Sequence, residues 1–284
     1  MALPDGLYDL LLTEGIAAKL VKEHAEIWDI RDGASEFLVD ALARQLVGIL
    51  QDMTGDVNEK LRRQLELVNG LLLTLRQQLE SEGGKAASAE IIDLVSQPAR
   101  LLKAIQRNQQ FQTPPEVGLS APWLFTAGKG SPSLLQEIRR ELASADQIDI
   151  LVSFITVSGV RKLHDVLQQV TALAADSKVP TRIRILTTTY TGATEARALD
   201  ELARLPGCEV RVSLDGRRTR LHAKAWIFQR NTGFGSAYVG SANLSGAALT
   251  GGLEWTVKLT QRSQEALFAR AIAHFETLWE DNEF

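Results

Sequence analysis

Leu221-His222-Ala223-Lys224-Ala225-Trp226-Ile227-Phe228 is an apolar run broken at alternate positions by a histidine and a lysine. Such a run reads as a strand, and alternate strand residues point to one face, so His222 and Lys224 share a side. Trp226 falls on that face too and reads as core, with stacking on a nucleic-acid base as its other possible use. Shortly after come Gly240-Ser241-Ala242-Asn243 and then Glu254. A Gly-Ser-x-Asn turn offers a hydroxyl, an amide and free backbone N–H groups. A nitrogen nucleophile, a positive charge and neutral donors together suit a phosphate group.

Strands and helices spread outward from this run. Ile148–Phe154, Ile183–Thr188, Val210–Leu214, Ala237–Val239 and Leu253–Leu259 read as strands. Residues 158–175, 194–205 and Ser263–Trp279 read as helices. Ser131-Pro132 reads as a helix start, with serine as N-cap and proline at the first helical position. Strands alternating with helices, then a run of strands, predict an α/β domain with a mixed sheet flanked by helices.

The region before residue 110 has a different pattern. Leu61, Leu65, Val68, Leu72, Leu75 and Leu79 mark one stripe of an amphipathic helix. Phe37, Leu38, Leu42, Leu46, Ile49 and Leu50 give a second stripe. Leu7, Leu10, Leu11 and Ile16 predict a third helix, and Ile91, Leu94, Leu101, Leu102 and Ile105 a fourth, with a loop at Ser81–Lys85. Thr113-Pro114-Pro115 and Ala121-Pro122 mark a connector. The expected division is an all-α segment over 1–112 and the α/β domain over 120–284.

Composition narrows the classes. The chain has 284 residues, 45% hydrophobic and 23% charged, in the range of globular domains. No apolar run reaches membrane-span length, and Met-Ala-Leu-Pro-Asp lacks the features of a secretion signal. Cys208 is the sole cysteine, which excludes an internal disulfide and predicts a cytoplasmic protein; its setting reads as a structural thiol. Net charge is −4, but residues 1–120 carry −6 and residues 121–284 carry +2. Residues 178–230 hold 11 basic and 5 acidic side chains, among them Arg217, Arg218 and Arg220. These are the candidate substrate-binding cations for a polyanion. The sequence contains no cluster of metal ligands.

His222, Lys224, the Gly240–Asn243 turn and Glu254 resemble the motif of the phospholipase D superfamily: His-x-Lys, then an aspartate, then Gly-Ser-x-Asn, then a glutamate. Gln229 stands where the family places the aspartate, and residues 230–238 lengthen the interval before the glycine. The resemblance implies a phospholipase D-like mixed sheet and a metal-independent phosphodiesterase with no cofactor. It makes His222 the nucleophile that forms a phosphohistidine. Lys224, Asn243 and Ser241 contact the phosphate beside Gly240, and Glu254 orients the imidazole. The superfamily builds its site from two motifs, and His24, His164 and His274 lack the lysine partner. A homodimer sharing one site is therefore expected.

Residues ~120–280 further resemble the phosphodiesterase module that precedes a DEAD/DEAH-type helicase in large bacterial proteins. The likeness lies in Trp123–Thr126, Leu151–Ile155 and Arg220–Ser245. It points to DNA as substrate, to a helicase region in a longer chain, and to restriction-type or antiviral defence. No helicase motif occurs in these residues. Two other readings use the same features: a catalytically degenerate module for DNA binding or dimerisation, for which Gln229 speaks, and a lipid phosphodiesterase, against which no membrane-facing apolar element is found.

Overall fold

The computed structural model describes Leu7, Asp29 and residues 11–20, 25–27, 34–81, 92–105, 113–126, 130–172, 181–214 and 220–282. The chain forms two compact units, Met1–Leu102 and Lys103–Phe284.

The first unit contains α1 (Glu14–Ala17), α2 (Ala34–Asp52) and α3 (Val57–Ser81). Two of the predicted stripes thus lie on helices. Asp56 caps α3 by accepting from the Asn58 and Glu59 N–H groups at 2.9 and 3.1 Å. Gln64 and Lys60 donate back to the Leu50 and Gln51 carbonyls, tying the start of α3 to the end of α2. The other two predicted helices are not found as read. Leu7 and Leu11 lie outside any helix, and only Glu14–Ala17 turns; Leu10 lies outside the described residues. Residues 92–105 form no helix, and Ile91 lies outside the described residues. Asn69 takes both backbone groups of Val95, at 2.9 and 3.0 Å, and Pro98 supplies no N–H, so the ladder a helix needs is not available there.

In the second unit, β1 (Trp123–Thr126), α4 (Leu134–Ser144), β2 (Gln147–Leu151), α5 (Val157–Thr171), β3 (Arg182–Thr188) and α6 (Ala196–Ala203) come first. Then follow β4 (Cys208–Ser213), β5 (Ala225–Gln229), β6 (Ser236–Gly240), α7 (Gly246–Thr250), β7 (Trp255–Thr260) and α8 (Glu265–Trp279). The strands form one sheet in the order β1-β7-β6-β5-β2-β3-β4 among the described residues. β2, β3 and β4 run parallel and the remaining neighbours antiparallel, giving the expected mixed sheet.

Alternation sorts the strand side chains into two layers. Ile148, Ile150, Ile183, Ile185, Trp226, Phe228 and Tyr238 pack under α4–α7. Leu151, Leu186, Ile227 and Ala237 pack under Phe268, Phe275 and Trp279 of α8. Two sequence readings need correction here. The α4 cap is Ser133, whose hydroxyl accepts from the Gln136 N–H at 3.4 Å, so Pro132 lies before the cap rather than inside the helix. Trp226 is 2% exposed within the core, which removes base stacking from its uses.

Both faces carry buried charge. Under α4, Glu141 accepts from Arg230 at 2.6 Å, from Lys258 at 2.8 Å and from the Tyr238 hydroxyl at 2.7 Å. Burial raises the Glu141 pKa, but the two cations outweigh it and hold the carboxyl below its usual range. Under α8, Asp149 and Arg184, paired in register across β2 and β3, meet at 2.6 Å, and Arg184 continues to Glu276 on α8. Cys208 opens β4, half-buried, and burial beside Glu209 pushes its thiol up to about 12, so it is not thiolate at neutral pH.

Candidate active site

His222 and Lys224 do not lie inside a strand: β5 begins at Ala225, and residues 221–224 lead into it. The ladder still continues past its end, because the Gly240 N–H donates to the Lys224 carbonyl at 3.2 Å. The two side chains meet. The Lys224 Nζ lies 3.1 Å from Nδ1 and 3.2 Å from Nε2 of His222, and donates to the His222 carbonyl at 2.6 Å. His222 is exposed while Lys224 is buried. Burial lowers the Lys224 pKa from its ordinary value, with the Glu254 carboxylate pulling the other way.

Gly240 is fixed by close approach. A Cβ there would stand 2.1 Å from the Trp255 carbonyl oxygen and 2.7 Å from the Thr256 Cα, so only glycine lets β6 end against β7 at this point. Ser241 then locks onto β7: its N–H donates to the Trp255 carbonyl at 3.0 Å, and its hydroxyl accepts from the Trp255 N–H at 3.1 Å. The Ser241 hydroxyl hydrogen goes to the Glu254 carboxylate. In the single chain Glu254 meets Ser241, with no bond to the imidazole among the described residues, and the Ser241 hydrogen is engaged within the turn.

Asn243 is buried and its orientation is set from a distance. Its Oδ1 accepts from the Ser153 N–H at 2.9 Å and the Phe154 N–H at 3.3 Å, in the turn that leaves β2. A bridge between Ile155 and Leu244 holds that turn in place. Gly159 allows it, since a Cβ there would lie 2.3 Å from the Leu244 carbonyl oxygen. With its oxygen occupied, Asn243 presents only amide N–H donors for another group. Ser153 and Phe154 were not legible as site residues, because they act through contacts 90 and 89 positions away in sequence.

Gln229 has a clear physical account. Its amide donates to Asp149 at 2.8 Å, beside Gln147 at 3.1 Å and Arg184 at 2.6 Å. The carboxylate at this spot belongs to Asp149 on β2, and an amide at 229 is its complement. Restoring the family residue by Gln229→Asp replaces a donor with a second negative charge. We expect a loss of about 1–3 kcal/mol in stability and no gain in activity. A thermal melt with the midpoint unchanged or raised would contradict this.

Five cations of the basic window are engaged elsewhere. Arg184 and Arg230 sit in buried ion pairs, Arg182 pairs with Glu209, Arg197 with Glu201, and Arg211 lies over the Trp279 ring. Arg220 is exposed near the site in sequence, while Arg217 and Arg218 lie outside the described residues. His164 is half-buried on α5 and His274 is exposed on α8; His24 lies outside the described residues. Among the described residues no group of three or more His, Cys, Asp or Glu side chains is placed to hold a metal ion. No helix among them is long and apolar enough to cross a membrane.

A mixed sheet with helices on both faces, a His–Lys pair leading into one strand and a Gly-Ser-x-Asn turn leaving the next define a phosphodiesterase-type domain of the phospholipase D class. The family model "Cardiolipin synthase, PLD-like domain" matches residues 138–279, half of the chain, and the chain belongs to this phospholipase D-like family. No curated protein matches the sequence. Among solved structures the chain is similar to NucT from Helicobacter pylori, with 16% identity over 56% of this chain and 96% of that one, at a TM-score of 0.42. It is similar to Nuc, a phospholipase D family member from Salmonella typhimurium, with 17% identity over 56% and 93%, at 0.40. Yeast tyrosyl-DNA phosphodiesterase is similar at 12% identity over 49% of this chain and 31% of that one, at 0.32.

Proposed function

We propose that this chain is a metal-independent DNA nuclease whose active site is shared by two identical protomers. The observation that carries the reading is the Lys224 ammonium within 3.2 Å of both ring nitrogens of an exposed histidine. A phosphate reaching His222 also reaches the charge that neutralises its oxygens. A ring nitrogen of His222 attacks phosphorus, and a P–N bond forms as the P–O bond to the leaving nucleotide breaks. The leaving oxygen takes a proton from His222 of the partner subunit, which enters as imidazolium. Water then attacks the phosphohistidine, gives its proton to that same imidazole, and releases His222. Lys224 and the Asn243 amide hold the phosphate oxygens through both steps. Ser241 and Glu254 shape the turn beside Gly240, and Arg217, Arg218 and Arg220 contact the DNA backbone.

DNA is favoured over lipid by the basic cluster at 217–220 and by the resemblance of residues ~120–280 to modules joined to helicases. On the same basis the chain acts in the cytoplasm as the front module of a helicase-nuclease protein in antiviral defence or DNA processing. The helical segment 1–112 is its leader and residues 120–284 are the catalytic domain.

The test is a quenched reaction with end-labelled DNA in the presence of EDTA. Turnover persists, and a DNA–protein adduct that is lost in acid and absent from His222→Ala is trapped. Turnover abolished by EDTA, or cleavage with no such adduct, refutes the chemistry. Hydrolysis of phospholipid vesicles with DNA left intact refutes the substrate.

A further inference from the structure

We infer that Tyr190, on the loop that leaves β3, is a stacking platform for a nucleobase flanking the phosphate at His222. This rests on the nuclease reading above and adds a contact to the base rather than to the phosphate.

Strand register brings Tyr190 to the site. Leu151 at the end of β2 lies opposite Ala225 on one side and Leu186 on the other. The ladder beside β5 runs on to Lys224, and the ladder beside β3 runs on to Thr189, whose N–H donates to the Ser213 carbonyl at 3.1 Å. His222 stands three residues before Ala225 and Tyr190 four after Leu186. Because β5 is antiparallel to β2 and β3 parallel to it, both emerge at the same end of the sheet at nearly the same height. Two strand spacings separate them, about 10 Å. Roughly three stacked nucleotides at ~3.4 Å each cover that distance.

The loop holds its backbone firmly. The Tyr190 N–H donates to the Thr188 hydroxyl at 3.2 Å, the Gly192 N–H to the Thr189 carbonyl at 2.9 Å, and the Thr194 hydroxyl to the Thr188 carbonyl at 2.6 Å. Gly192 turns with φ +67°, a left-handed conformation that suits glycine. The far end of the loop is pinned beside the site. The Glu195 N–H donates to the Ile155 carbonyl at 2.9 Å, and its carboxylate accepts from the Val157 N–H at 2.6 Å. Ile155 in turn bridges Leu244, the neighbour of Asn243. Tyr190 itself is 36% exposed, and its phenol makes no hydrogen bond, ring contact or cation contact among the described residues.

Charge points to a nucleic acid as the occupant. The connection from Ser213 to Leu221 begins beside Tyr190, through the Thr189–Ser213 bond, and ends beside His222. It carries Arg217, Arg218 and Arg220. A phosphate backbone running from His222 to Tyr190 joins the same two points as this basic segment. Cations for the backbone and an aromatic face for the bases are the combination that grips a nucleic-acid strand. The acyl chains of a phospholipid offer Tyr190 no planar ring to stack on.

The test is binding of a single-stranded oligonucleotide to the full chain carrying His222→Ala, so that the DNA is not cut. Adding Tyr190→Ala weakens binding about 5- to 150-fold. Adding Tyr190→Phe leaves it within about twofold, because stacking uses the ring and not the hydroxyl. Bases are then removed from the oligonucleotide one at a time, with every phosphate kept. The parent chain loses a similar factor at one position, and the Tyr190→Ala chain is indifferent to the same removal. Tyr190→Ala that binds as tightly as its parent, or a base-removal penalty equal in both chains, overturns the stacking contact and leaves the nuclease reading standing. Wild-type chain that binds DNA but does not cleave it, with the ring and base effects present, refutes the nuclease reading and leaves the contact standing. A chain that binds no oligonucleotide removes both.

Discussion

If two protomers share the site as proposed, wild-type chain refolded together with an equal amount of His222→Ala is expected to retain about a quarter of the phosphodiesterase activity of wild type refolded at the same total concentration. Random pairing makes one dimer in four wild type on both sides, and half of the dimers mixed. A mixed dimer has a single imidazole and lacks either the nucleophile or the proton donor. Chains that act alone retain about half instead, because each wild-type chain keeps its own complete site. The variant by itself loses activity on the order of 10⁴-fold or more, as removal of a covalent nucleophile does. His222 is exposed, and its truncation is expected to leave stability nearly unchanged, within about 0.5 kcal/mol. Titrating the ratio of the two chains reads the number of histidines per site directly. A linear loss of activity with added variant rules out sharing, whatever the chemistry.

The largest effect on stability is expected from Arg184→Met. Arg184 bonds Asp149 through Nε at 2.6 Å and Glu276 through both terminal nitrogens, at 2.8 and 2.6 Å. It also lies over the Phe275 and Trp279 rings. Burial works against its charge, but the bonds to Glu276 and Asp149 more than offset this and raise its pKa. Glu276 is 41% exposed and turns to water when the arginine goes, whereas Asp149 is fully buried and is left charged with only glutamine amides around it. Leaving such a charge unpaired costs about 3–5 kcal/mol. For a unit of this size that lowers the melting midpoint by roughly 6–20 °C. Adding Asp149→Asn to Arg184→Met removes the stranded charge and recovers much of the loss, since an asparagine still accepts from Gln229. Phosphodiesterase activity measured well below the melt is expected to stay near wild type, because none of these groups touches the His222 site. A single variant that melts with wild type shows that the pair adds nothing.

The legible parts of the molecule were those written locally. Apolar residues at every second position set the strands at 183–188 and 210–213, and the leucine spacing over 61–79 set α3. Short or context-bound elements were not readable this way. β1 has four residues and becomes a strand through its antiparallel pairing with β7. The five-residue α7 turns because Ser245 caps it, its hydroxyl accepting from the Ala248 N–H at 3.2 Å. The apolar residues at 94, 101, 102 and 105 have helical spacing, but the backbone there is bound to α3 at Val95 and interrupted at Pro98. A periodic pattern is necessary for a helix and does not outweigh competing backbone partners.

The same division runs through the site. The order His222, Lys224, Gly240, Ser241, Asn243, Glu254 is a property of the string of residues, and it carries the chemical types: a nucleophile, a cation, amide donors and a carboxylate. What those groups face was decided by packing. The Asn243 oxygen is taken by the turn after β2, the Ser241 hydrogen goes to Glu254, and Asp149 supplies the carboxylate beside Gln229. Arg182, Arg184, Arg197 and Arg230 of the basic window are drawn into pairs with carboxylates that are distant in sequence or one helical turn away. Sequence fixes which groups a chain owns, since covalent identity is local. Only the folded arrangement fixes which of their donors, acceptors and charges stay unspent, because hydrogen bonds and ion pairs are settled by proximity in space.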